Sequence, residues 1–185
     1  MRLFLFFMII SLAILSCQRD SDFEKFIVNK KLSSNDTVKL LSKYPELKLF
    51  TSEVPESLTR TAYITQTASF TDGPRRSTFF FDDYKCKVKY QQDTLNIWLN
   101  NNNGYFGNGV LVKVFNDQFY IKNIDPKTLK NEEKFIKAQV FSQKLILNNN
   151  KFNKNDSIYG YIDYMCTTDS LVDKRFKGYF KTIIK

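Results

Sequence analysis

Residues 109–123 read GVLVKVFNDQFYIKN, and this stretch decides the fold. Val110, Val112 and Val114 alternate with Leu111, Lys113 and Phe115; Phe119 and Ile121 alternate with Gln118, Tyr120 and Lys122. Successive side chains of a strand point to opposite faces, so a period of two marks two strands, each with one apolar face. Between them stands Asn116-Asp117, a pair that tolerates the left-handed backbone a two-residue hairpin requires. The segment predicts an antiparallel hairpin with one face turned to a core.

Working outward, the same period recurs at Leu95, Ile97 and Leu99. The predicted strands are 61–70, 78–90, 94–100, 109–115, 118–123, 135–148, 157–167 and 176–184. About eight strands joined by short polar turns predict a mainly β fold, an antiparallel β-sandwich or open barrel. Upstream the period changes. Ser34-Asn35-Asp36 offers a helix cap, Val38, Leu40, Leu41 and Tyr44 give one apolar stripe, and Pro45 ends it. A short N-terminal helix is therefore expected ahead of the strands. A second short helix is expected from Asp125-Pro126 through Lys134.

The chain has 185 residues and a formal net charge of +9. Hydrophobic residues at 43% and aromatics at 16% supply a core for one domain. Histidine is absent, which excludes Ser-His-Asp and Cys-His nucleophiles and most transition-metal sites. Three cysteines cannot make paired CxxC ligands, so no structural zinc, and no cofactor, is expected. Gly104-Tyr105-Phe106-Gly107-Asn108-Gly109 lacks the Lys-Ser/Thr of a phosphate loop and reads as a hairpin connection. Asp82-Asp83 would point to opposite faces of a regular strand, so a strand end is expected there. Glu132-Glu133 falls in a charged loop. Nothing in these carboxylates assigns catalysis, and the chain reads as a non-enzyme more readily than as an enzyme.

Residues 1–16, MRLFLFFMIISLAILS, place Arg2 before an apolar run that is shorter than the roughly 20 residues a membrane-spanning helix needs. This is the pattern of a signal peptide. Ile14-Leu15-Ser16-Cys17 resembles a lipobox, the motif at which bacterial lipoproteins are acylated on cysteine and then cleaved. The resemblance covers about the first 20 residues. It implies a diacylglycerol thioether on Cys17, and usually a third acyl chain on its freed amine; two or more chains anchor stably. Gln18, rather than aspartate, after the cysteine implies the outer membrane. The expected organisation is a signal peptide at 1–16, a lipidated tether at 17–33 and one β-rich domain at 34–185. The alternative is an ordinary signal peptide or uncleaved anchor with an incidental cysteine.

With Cys17 assigned to lipid, Cys86 and Cys166 remain as an even pair in an oxidising compartment. Cys86 lies on the apolar face of 84–90, and Cys166 shares a face with Ile158, Ile162 and Tyr164. A disulfide between them is expected, closing a loop of about 80 residues for roughly 4–5 kcal/mol of chain entropy. Two separate buried thiols are the alternative.

Tyr159, Tyr161 and Met165 share the face opposite Ile158 and Ile162, while Lys177, Tyr179 and Lys181 alternate with Phe176, Gly178 and Phe180. Pairing these strands would gather Tyr159, Tyr161, Tyr179, Lys177 and Lys181 on one face, suited to a protein or glycan partner. The alternative is that another sheet or the helix covers this face. Asp36-Thr37, Asp93-Thr94, Asp156-Ser157 and Asp169-Ser170, each followed by an aliphatic residue, resemble the acceptor motif of some bacterial O-glycosylation systems. That implies glycans at Thr37, Thr94, Ser157 or Ser170, against a reading as ordinary caps and turns. The expected molecule is an envelope lipoprotein held to the membrane, with a non-catalytic binding or accessory domain. A lipid-anchored carboxylate hydrolase and an immunity or inhibitor lipoprotein are the alternatives. Nucleic acid is not an expected partner of an exported chain, despite the basic balance.

Overall fold

The computed structural model describes residues 23–102, 107–125, 134–168 and 171–185. The signal segment, Cys17, Glu132-Glu133, Ser170, the expected helix after Asp125 and residues 104–106 of the glycine-rich connection lie outside the described residues. The strands form two sheets that face each other as a β-sandwich. The first sheet runs β1 (Glu24–Lys25), β8 (Gln118–Asp125), β7 (Gly109–Phe115), β6 (Thr94–Asn100), β5 (Lys85–Gln91). A short β9 (Lys134–Ile136) pairs with the far end of β8. The second sheet runs β2 (Ile27–Val28), β10 (Ala138–Leu147), β11 (Ser157–Thr168), β12 (Asp173–Ile183), β3 (Ala62–Asp72), β4 (Arg75–Phe81). All pairs are antiparallel except β2 with β10.

The alternation read from the sequence builds the core. Val110, Val112, Val114, Phe119 and Ile121 from one sheet meet Ile158, Ile162, Tyr164, Phe176 and Phe180 from the other, all buried. Asn116 and Asp117 adopt φ of 49° and 60° and close the β7–β8 hairpin as expected. Gln92 and Asp93, at 51° and 57°, make the same turn between β5 and β6.

Two expected strands are each divided in two. The stretch 78–90 ends in the second sheet at Phe81 and resumes in the first at Lys85; 135–148 changes sheet around Lys137. Asp82-Asp83 is thus a strand end, as expected. Buried Tyr84 pins this crossing: its hydroxyl donates to Gln66 Oε1 and its ring meets Phe176 edge-on. A third crossing lies at Phe26, between β1 and β2, where the buried ring packs near Phe152. Residues 24–28, expected within the tether, are therefore part of the sandwich, because Phe26 has apolar area to bury and its neighbours complete two sheet edges.

The expected helix is present as a 3-10 turn (Lys30–Ser34) followed by α1 (Asp36–Leu41). Asn35 caps α1, its Oδ1 accepting from the amides of Thr37 and Val38. Leu32, Val38 and Leu41 are buried outside the central cluster, whereas Leu40 and Tyr44 are exposed. The helix lies against β12 and β3.

Candidate functional site

The expected tyrosine and lysine face forms on the outside of the second sheet. Strand register places Tyr161 opposite Tyr179, and Tyr179 opposite Tyr63 of β3, so three tyrosines cross three adjacent strands. The Tyr161 and Tyr179 rings lie 4.9 Å apart at 57°. Tyr63 is 49% exposed, with the Arg60 guanidinium 5.8 Å from its ring centre. Sequence reading missed Tyr63 because its neighbours come from a strand about 115 residues away. The pairing, not local periodicity, creates the row.

The next row holds Lys144, Asp163, Lys177 and Thr65. Asp163 accepts from Arg175 Nε at 3.0 Å and Nη2 at 2.8 Å, with Lys177 Nζ at 3.9 Å. The Arg175 hydrogen bond holds the Asp163 carboxyl below its usual range. Burial, together with Asp163, raises the Tyr161 phenol. Tyr159 faces Lys181, whose Nζ donates to Ser42 Oγ at 2.6 Å. The helical segment therefore reaches this end of the face. Tyr159, Tyr161, Tyr179 and Lys181 are half-buried, and Lys177 is exposed. Asp163, with Asp173 at the far end of β12, is outnumbered by Lys144, Arg175, Lys177 and Lys181, which leaves the face basic and aromatic.

The expected disulfide is not formed: Cys86 and Cys166 are free buried thiols. Both enter the central core, as their strand patterns required. Cys166 Sγ accepts from Asn123 Nδ2 of β8 at 3.3 Å, and Tyr164 Oη accepts from the same amide at 2.8 Å. Cys86 sits on β5, separated from β8 by β6 and β7. Three strand spacings amount to about 14 Å, well beyond the roughly 4.4–6.8 Å between Cα atoms that a disulfide spans. Alternation assigns a residue to a face but not to a position across the sheet. Burial pushes the Cys86 thiol pKa up, so it is a packing residue and not a nucleophile.

One convergence of carboxylates was not legible in the sequence. Glu46 Oε2 and Glu53 Oε1 converge on Lys85 Nζ at 3.4 and 2.6 Å. Their other contacts are backbone amides: Glu56 N donates to Glu46 at 2.6 Å, and Leu49 N to Glu53 at 2.7 Å. The triad ties the 46–56 loop to the edge strand β5. Asp83 is likewise engaged, accepting from Asn101 Nδ2 at 2.9 Å. These groups have structural partners already in place.

The outer face of the first sheet carries a groove that sequence reading passed over as solvated strand. It has a volume of about 550 Å³. Trp98 and Tyr120 line it, and Phe23 closes one end by packing edge-on against Phe115 and Tyr120, at 5.5 and 5.2 Å. Thr94, one of the hydroxyls expected to carry a glycan, is also in the lining, and its Oγ1 donates to Gln92 O at 3.3 Å. Thr37 is half-buried in the first turn of α1, and Ser157 is exposed at the start of β11. The described acceptors thus stand at element starts, where Asp-Ser/Thr serves caps and turns.

Comparison with protein-family models, with curated proteins and with solved structures finds no match to this chain.

Proposed function

We propose that this chain is a lipid-anchored protein of the cell envelope, in the outer membrane, whose sandwich is a non-catalytic binding or accessory module. The lipobox resemblance at Cys17 supports the anchor. The observation that carries the binding role is the row Tyr63–Tyr179–Tyr161 beside Arg175, Lys177 and Lys144, on a face the helix leaves largely open. Tyrosines offer large contact area at low entropic cost, and fixed cations at their edge orient a partner. The partner class is an envelope protein or glycan. A carboxylate hydrolase is less well supported, since Glu46, Glu53, Asp83 and Asp163 are all held by structural partners.

The test is covalent cross-linking in the native envelope, followed by affinity capture and mass spectrometry, comparing wild type with Tyr161→Ala/Tyr179→Ala. A cross-linked species that disappears in the double variant, with the variant's circular dichroism unchanged, is expected. An identical cross-linking pattern for both proteins would exclude this face as the binding surface.

A further inference from the structure

We propose that the groove on the outer face of the first sheet binds an acidic saccharide, a second ligand site independent of the tyrosine row. The outward positions of β5 to β8 carry Lys85, Lys87, Lys89, Lys113 and Lys122 and no Asp or Glu. Lys85 is neutralised by Glu46 and Glu53, and Lys87 by Glu56. Lys113 and Lys89 have no carboxylate within ion-pair distance among the described residues. They flank Asn96 in a register row that ends at Tyr120: Lys89, Asn96, Lys113, Tyr120.

The second observation is shape and chemistry together. At about 550 Å³ the groove is of small-ligand size. Its floor is mixed: the indole of Trp98 and the ring of Tyr120 supply apolar faces, while Gln91, Thr94 and Asn96 supply amide and hydroxyl groups. Amides both donate and accept, matching sugar hydroxyls, and aromatic faces cover the C–H side of a pyranose. Lys113, half-buried in the lining, is the cation positioned for a carboxylate. Phe23 stacks edge-on into the Phe115–Tyr120 pair, so the groove is walled by the first described residue of the sandwich.

Trp98 is the one tryptophan in the chain, so its fluorescence reports on this groove alone. The detergent-solubilised full chain is titrated with trigalacturonate, with cellotriose as the neutral counterpart and with glycerol phosphate as a lipid-headgroup probe. Isothermal calorimetry runs in parallel, so that binding without an emission change is still registered. Saturable trigalacturonate binding is expected, at least tenfold tighter than cellotriose and weakened about tenfold by Lys113→Gln, the scale of a lost hydrogen bond to a charged group. The Tyr161→Ala/Tyr179→Ala variant should bind it as wild type does, which separates this site from the tyrosine row. No saturable binding, equal binding of cellotriose, binding of glycerol phosphate alone, or indifference to Lys113→Gln would each overturn the proposal.

Discussion

Gly160 lies opposite Phe180 in the β11–β12 pair, and the glycine is what lets that ring lie flat in the core. A Cβ there would stand 2.0 Å from Phe180 Cζ. Gly160→Ala should lower stability by about 1–3 kcal/mol, the usual range for overpacking, read from urea denaturation. The thiols give a second prediction. In denaturant without reductant, Cys86 and Cys166 should both react with a thiol reagent; a bonded pair would leave neither reactive. Glu56 gives a third. Hydrogen bonds from Lys185 and then Lys87 hold its carboxyl down to about 2, from 4.5. A carboxyl with a depressed folded-state pKa stabilises above its unfolded value, and the contribution is lost as pH falls from about 4.5 to about 2. Because the side chain is half exposed, the loss should stay below about 1 kcal/mol. Glu56→Gln should flatten that part of the stability profile, lowering stability at neutral pH by less than about 1 kcal/mol and leaving it nearly unchanged near pH 2. At this scale the sequence showed which face each residue takes, as at Tyr161, Tyr179 and Cys166. It did not show lateral neighbours, so Tyr63, the Glu46–Lys85–Glu53 triad and the Trp98 groove emerged only with strand order.

Strands and turns were more legible than crossings. Asn116-Asp117 announced its hairpin through residue types that favour positive φ; Gln92-Asp93 makes the same turn with a glutamine that does not advertise it. The passages at Phe26, Tyr84 and Lys137 keep apolar residues on schedule while the chain changes sheet, so alternation alone joins what the fold divides. The sheet edges differ in protection. The last residue pairs with β5, Lys185 N donating to Val88 O at 3.1 Å and Tyr90 N to Lys185 O at 3.2 Å. By contrast β4 is the terminal strand of its sheet, with Phe80 71% exposed. An uncovered apolar edge invites pairing with other chains. Phe80→Lys should change stability by no more than about 0.5 kcal/mol, while raising the concentration at which light scattering first detects association. Unchanged association would show that the edge is already protected.

Across the whole molecule, the two-residue hairpins at 92–93 and 116–117 and the 148–156 connection share one end, and Phe23 enters there. The turn between β3 and β4 lies at the other end, beside Asp173. Five residues lie between Cys17 and Phe23, and the six steps extend no further than about 22 Å. On the lipoprotein reading, the hairpin end and the groove behind Phe23 therefore lie close to the bilayer, and the β3–β4 turn projects away from it. The tyrosine row runs along the side of such a molecule, accessible to a partner in the same envelope. Everything in this arrangement depends on Cys17. Intact-mass spectrometry of the protein extracted by detergent from its native membrane tests that dependence directly. The expected mass is that of a chain beginning at residue 17 and carrying a diacylglyceryl group, with Cys17→Ser accumulating as the unprocessed 185-residue precursor. A processed but unacylated chain, or a Cys17→Ser protein matured as wild type, would contradict it.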